Sequence, residues 1–354
     1  MSLRDRLIER IARDGPISVA DYMDACLHDP EDGYYAVRPG LGETGDFITA
    51  PQVSQMFGEL IGLWAASVWA DLGRPAKVRL VEIGPGEGTL MADALRAARA
   101  APEFLDAAEV WLVETSAPLR ERQKTTLGDH AVRWASQIEE IPTDVSIILI
   151  ANEFLDCLPI RQAVWENGVW RERLVGLNRS GALAFTTSPA PAERRPPQAD
   201  DEWGVFEWSD ALADFGRKIG DLITEVSGAA LIIDYGRDRP EFGDTLQALS
   251  DHAKEGSLDN PGHADLTAHV DFSAFAEAAR STGAEASAIR TQGNFLRALG
   301  IEARADALIR ANPVAAAKIG RQLCRLIAPE GMGELFKAVC IHSANLNPPG
   351  FEAP

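Results

Sequence analysis

The residues that could do chemistry in this 354-residue chain begin with the turn "LVEIGPGEGTL", residues 80 to 90. Gly84, Gly86 and Gly88 follow a run of strand formers and precede a helical pattern, so the backbone there can approach a ligand closely. The spacing is near that of a dinucleotide turn, but the third glycine comes one residue early and Thr89 stands where a glycine is expected. Glu82 and Glu87 flank the turn and would oppose the roughly two negative charges of a pyrophosphate at a helix N-terminus. A ligand without phosphate, such as S-adenosylmethionine with its sulfonium and ammonium, tolerates or uses those acids. The plain alternative is a tight strand-to-helix turn that binds nothing.

Further candidates lie at the ends of the next strand patterns. Glu114, in "WLVETS", can accept hydrogen bonds from both hydroxyls of a ribose, since a carboxylate is a bidentate acceptor. After the third pattern, Ser136, Gln137 and Ile138 stand where an adenine could meet backbone and side-chain partners, and Asn152 ends the fourth beneath the expected ligand. "NEFLDCLP", 152 to 159, adds Glu153 and Asp156 directly after a fully apolar run. Acids there could hold a cationic nucleophile such as a guanidinium through charge-assisted hydrogen bonds. The same residue types also make helix caps and turns, so both readings stand.

The elements that must position these groups are strand candidates at 78–83, 109–114, 131–135 and 145–152, with helical patterns between most of them. Such alternation predicts right-handed βαβ units and a parallel sheet, with ligands outside the carboxyl ends of the strands. Ahead of it, helices are expected at 3–12 and from Ser18, where Ser18 and Asp21 form a capping pair. A long Gly/Pro/Asp-rich loop over 29–51 carries Tyr34 and Tyr35. An amphipathic helix over 54–72 repeats Phe57, Leu60, Ile61, Trp64, Val68 and Trp69 at three and four. After the fourth strand, "ENG" predicts a hairpin turn, and 188–202 reads as an exposed Pro-rich loop. The parallel pattern resumes with a helix near 206–227 and a strand over 229–236. A Gly/Asp-rich loop over 237–269 follows, then a helix over 271–282 and a strand near 286–290. Helical segments from 293 to 328 lead to a last strand over 335–342.

With 34 Lys and Arg against 53 Asp and Glu, the net charge is -19, which disfavours nucleic acid and anionic membranes and favours a basic substrate. Acidity for solubility alone explains the same number. Cys26, Cys157, Cys324 and Cys340 are widely separated and are expected as buried free thiols of a reducing compartment. His252, His263 and His269 match no metal-ligand spacing, so no metal is expected. No apolar run of about 18 residues predicts a membrane span. The N-terminus has no signal-like apolar core, and a cytoplasmic protein is expected.

Seven blocks, "GDFITAPQVSQMFGELIG", "LVEIGPGEGTLMADALR", "NEFLDCLPIRQ", "LIIDYG", "ADLTAHVDF", "QGNFLRALGI" and "MGELFKAV", occur in order between about residues 5 and 342. Together they closely resemble the family of the mitochondrial complex I assembly-factor arginine methyltransferase and its bacterial relatives. The resemblance implies an α/β fold, a seven-stranded Rossmann-like class I methyltransferase sheet whose last strand is antiparallel, with an N-terminal helical extension, a β-hairpin insertion and a helical insertion. The corresponding domains are 1–75 for the N-terminal helices and active-site loop, 76–342 for the methyltransferase domain with insertions at about 160–205 and 293–328, and a tail over 343–354.

S-adenosylmethionine is the implied cofactor. The implied substrate is an arginine of a respiratory complex I (NADH dehydrogenase) subunit or an equivalent bacterial protein. Carried over by motif, Gly84, Gly86 and Gly88 are the cofactor loop and Glu114 the ribose acid, while Thr49, Pro51 and Gln55 belong to the block before that loop. The expected cofactor set is Glu82, Gly84, Gly86, Gly88, Glu114, Gln137, Ile138, Asn152, Thr49 and Gln55. Glu153 is the first catalytic candidate and Asp156 the second. Tyr34, Asp46 and Tyr235 are the substrate-contact candidates, Tyr34 shaping the entrance under the 29–51 loop. The family's eukaryotic members are mitochondrial, and this chain has no evident presequence. A non-catalytic assembly chaperone, a small-molecule methyltransferase and a nicotinamide oxidoreductase are the competing functions, and a homodimer is an open alternative to a monomer.

Overall fold

A computed structural model describes residues 1–37, 49–194, 204–250 and 253–352. The chain forms two compact units: a larger one of residues 40–155, 215–238 and 272–354, and a smaller one of 1–39, 156–214 and 239–271.

The larger unit is built on a sheet whose main path has seven strands, β1 (Val78–Ile83), β2 (Ala108–Val113), β3 (Val132–Ala135), β4 (Ile147–Asn152), β5 (Gly228–Arg237), β6 (Glu285–Ala286) and β7 (Phe336–His342), in the spatial order β6-β7-β5-β4-β1-β2-β3, with Arg290–Thr291 also paired to β7. β1 runs parallel to β2 and β4, β2 to β3, and β4 to β5. The last strand is antiparallel, as expected, with Asp234 of β5 opposite Lys337 of β7. Every residue of β1 and β4 is buried, which is why these central strands read as near-continuous apolar runs rather than alternating ones. The chain winds outward from β1 on both sides, so the order reverses between β1 and β4. At such a switch point the loops at the strands' carboxyl ends diverge and leave a crevice.

Helices α1 (Gln55–Asp71) and α2 (Thr89–Ala98) pack closely in this unit. Gly62 makes that approach possible, since a Cβ there would lie 2.3 Å from the Ala94 carbonyl oxygen. Ser54 caps α1 through the Met56 N–H at 3.3 Å. Glu59 of α1, only 5% exposed, accepts two bonds from Arg304 at 2.8 and 3.0 Å and one from Arg96 at 3.2 Å. That carboxylate ties the helical insertion, Gln292–Ala298, Ile301–Ala311 and Ala316–Ile327, to α1 and α2.

The smaller unit packs the helices Leu3–Asp14 and Val19–His28 with an antiparallel sheet of 17–18, 169–177, 161–166 and 205–208 in that order, with 183–191 also paired to 169–177. Ser18 caps its helix through the Asp21 N–H at 2.9 Å, and Asn167 and Gly168 form the expected hairpin turn with φ of 51° and 82°.

Four expectations change. Residues 188–191 continue a strand rather than starting a loop; 195–203 lie outside the described residues. A strand, Val205–Trp208, precedes the helix expected from 206, which begins at Asp210. The 237–269 segment holds a three-stranded antiparallel sheet of 247–250, 253–255 and 265–267, whose short strands have no long periodicity to reveal them. Cys324 is exposed on the outward face of its amphipathic helix, unlike buried Cys26, Cys157 and Cys340.

Candidate active site

At the end of β1 all three glycines have positive φ, 63° at Gly84, 52° at Gly86 and 83° at Gly88, a region side chains with a Cβ rarely adopt. Gly88 is the left-handed residue that starts α2. Gly84 sits against Phe154, whose Cδ2 would lie 2.9 Å from an added Cβ. Gly86 faces open space, with nothing within 4 Å of its Cβ position. The turn therefore exposes backbone on one side while packing on the other.

Glu82 and Glu87 differ from what their positions in the sequence suggest. Glu82 is 3% exposed, and burial raises its carboxyl to about 8, opposed only by a hydrogen bond from the Met91 backbone N–H. Its second oxygen is buried without a hydrogen-bond partner. Glu87 is ion-paired to Arg122. The turn is therefore less negative than two free carboxylates would make it, and it repels a phosphate correspondingly less.

Glu114 stands just past β2, 9% exposed. One oxygen accepts the Ser116 N–H at 2.8 Å and the other the Gln123 side-chain amide at 3.1 Å. Burial raises this carboxyl, against those hydrogen bonds, one from the Thr115 N–H and the charge of Arg120. Arg120 holds the Glu114 carbonyl at 2.8 Å and the Ser136 hydroxyl at 2.9 Å, so the ends of β2 and β3 are joined beside the turn. Gln137 is exposed and Ile138 half-buried where the chain leaves β3.

The end of β4 carries an unusual backbone. Glu153 has φ 51°, a conformation disfavoured for a side chain of its size, and its N–H donates to the Ile233 carbonyl at 2.8 Å. Its Oε1 accepts the Ala50 N–H at 2.8 Å and the Asn152 amide at 3.0 Å. Asn152 keeps a buried Oδ1 without a partner. Nearby in the chain, Asp234 is fully buried and accepts the Leu155 and Tyr235 N–H groups, each at 2.8 Å.

The larger unit thus brings together Glu82, Gly84, Gly86, Gly88, Glu114, Asn152 and Glu153. Thr49 precedes the short helix Ala50–Val53, its N–H donating to Gln52 at 3.2 Å, and Gln55 is exposed at the start of α1. Tyr235 is 6% exposed and meets Phe336 edge-on at 5.4 Å. Tyr34, expected at an entrance, is 1% exposed within the packed core of the smaller unit. Asp156 also belongs to the smaller unit, where its carbonyl accepts the Ala268 N–H at 3.0 Å. Asp46 lies outside the described residues.

Sequence reasoning missed Gln123 and Asp234. Gln123 was legible as a polar residue on a buried stripe, Leu119, Gln123 and Leu127 at four-residue steps. Asp234 was legible as an acid closing the apolar strand "LIIDYG".

Comparisons with known proteins decide the family. Residues 60–289 match the model of an S-adenosyl-L-methionine-dependent methyltransferase family. The chain belongs to that family. A zebrafish (Danio rerio) relative named protein arginine methyltransferase NDUFAF7, mitochondrial, is 36% identical over 95% of this chain and 86% of its own length. The human (Homo sapiens) protein of that name is 35% identical over 93% of this chain and 81% of its own length. A Burkholderia thailandensis protein crystallised with S-adenosyl-homocysteine superposes with a TM-score of 0.84 at 29% identity, covering 99% of this chain and 92% of that one.

The site fits the cofactor of an S-adenosyl-L-methionine-dependent methyltransferase on its own evidence. The open face at Gly86 admits close approach of the ligand to backbone. The orphaned oxygen of Asn152 is a buried acceptor, suited to a ligand that brings an ammonium and hydroxyls. No described helix is long and apolar enough to cross a membrane.

Proposed function

We propose that this methyltransferase acts on an arginine side chain of a partner protein, a respiratory complex I subunit or its equivalent in the bacterial cytoplasm. The observation that carries the reading is Glu153, a carboxylate in strained left-handed backbone at the end of β4, oriented by the Ala50 N–H and the Asn152 amide. Strain of this kind is retained where a side chain must be aimed. Phe154, the next residue, packs on Gly84, so the acid belongs to the wall of the glycine turn. The relatives named as protein arginine methyltransferases, at 35–36% identity across nearly the whole chain, support the same class of substrate.

S-adenosylmethionine supplies an electrophilic methyl group when bound. The protein's part is positional: Glu114 holds ribose hydroxyls, the glycine turn takes the adjoining backbone contacts, and Asn152 offers its free carbonyl oxygen. Thr49, Gln55, Gln137 and Ile138 complete that wall in this reading. Glu153 accepts hydrogen bonds from the guanidinium, fixes which nitrogen faces the methyl group, and takes the proton which that nitrogen sheds once the added methyl has made it four-coordinate. Tyr235, in the same unit, is assigned to the substrate side.

Glu153→Gln keeps the shape and the Ala50 contact but loses the charge and basicity. Its turnover of labelled methyl into an arginine peptide should fall about a hundredfold or more, with S-adenosylhomocysteine affinity within about threefold of wild type. An undiminished turnover removes Glu153 from the mechanism.

A further inference from the structure

Gln123 is fully buried, on the helix Ala117–Leu127, and two of its three polar contacts reach the cofactor wall. Its Nε2 donates to the Gly86 carbonyl at 2.8 Å and to Glu114 Oε2 at 3.1 Å. Its Oε1 accepts the Trp134 indole N–H at 2.8 Å. An indole nitrogen can only donate, so the atom facing Trp134 must be the oxygen and the amide nitrogen must face the turn and the acid. Both amide hydrogens are then used. A Cβ placed on Gly88 would also lie 3.5 Å from the Gln123 Cα and Cγ.

We infer that Gln123 is a positioning residue for cofactor binding, a buried amide that locks the Glu114 carboxylate and the Gly86 carbonyl in one geometry. The inference rests on the reading of Glu114 as the ribose acid. With Oε1 of Glu114 held by the Ser116 N–H and Oε2 by Gln123, the carboxylate plane is fixed before the ligand arrives. Each oxygen retains a lone pair for one ribose hydroxyl. A carboxylate free to rotate would lose conformational freedom on binding, so a fixed one binds more tightly. The same amide turns the Gly86 carbonyl inward, away from the face where the ligand approaches. Ser136, Arg120 and Trp134 carry this order to β3, but Gln123 alone touches both the turn and the acid among the residues joined here.

The isosteric Gln123→Glu tests the amide's donors. A glutamate at this position has at most one hydrogen to offer, so Glu114 and the Gly86 carbonyl cannot both keep their donor. S-adenosylhomocysteine binding to the full chain, measured by calorimetry at pH 8, should weaken about tenfold or more. Turnover at saturating S-adenosylmethionine should stay within about threefold, so that the loss falls on KM rather than kcat. Gln123→Met, which keeps the volume and removes both donors, should weaken binding at least as much while keeping a cooperative melting transition.

Binding by Gln123→Glu and Gln123→Met within twofold of wild type at pH 8 overturns the inference. Glu114→Ala separates it from the reading beneath it. If that variant binds normally, the ribose role of Glu114 fails. If it binds weakly while Gln123→Glu and Gln123→Met bind normally, only the positioning role of Gln123 fails.

Discussion

Glu82 stands two residues before Gly84 and is buried beneath the turn. Its ordinary carboxyl value of 4.5 is raised to about 8 by loss of water, so the native state holds a proton that the unfolded chain releases near pH 4.5. The sign of the linkage follows. The stability associated with this group is fully present below about pH 4.5 and is lost as the pH rises through about 8. Glu82→Gln should remove that part of the dependence, so its stability should fall less than that of wild type between pH 5 and pH 9. Wild type should lose on the order of a few kcal/mol over the same range. Parallel curves for the two proteins would mean that Glu82 ionises freely in the folded state. The residue types here were legible and their environments were not. Sequence shows two acids flanking three glycines, but only three-dimensional contacts show one acid buried and the other paired with Arg122, 35 positions along the chain. Gln123 shows the opposite case, since its place on the Leu119–Leu127 stripe already marked it as buried, and a buried amide needs partners.

At the scale of elements, sequence reasoning succeeds where burial imposes a period or a continuous apolar run. The strands at 78–83 and 147–152 lie within a residue or two of their expected places because both faces are covered. The same reasoning fails over 247–267, where strands of three and four residues are too short to express a period. Glycines inside helices separate two physical cases that sequence presents alike. Gly62 lies where α1 meets α2, and an added methyl would collide with the Ala94 backbone at 2.3 Å. Gly320 sits on the exposed face of Ala316–Ile327 with nothing within 4 Å. Gly62→Ala should destabilise by about 1–3 kcal/mol through overpacking, while Gly320→Ala should stabilise by about 0.5–1 kcal/mol through reduced freedom of the unfolded helix segment. Chemical denaturation of the two variants beside wild type checks both signs. Equal effects would contradict the close approach assigned to Gly62.

For the whole molecule, the net charge of -19 suits a cationic substrate such as an arginine-bearing segment, and long-range attraction would raise its encounter rate at low salt. The class of reaction follows from the family, the cofactor-bound relative and the glycine turn together. The acceptor is the step that rests on Glu153 and on the relatives' names. Its most direct measurement is mass spectrometry of methylarginine in respiratory complex I subunits, or their equivalents, purified from cells with the wild-type gene, with the gene deleted, and with Glu153→Gln restored to the deletion strain. A methylarginine present in wild type and absent from both other strains is the predicted result. A methylarginine pattern identical in all three strains would contradict arginine methylation of this partner by this protein.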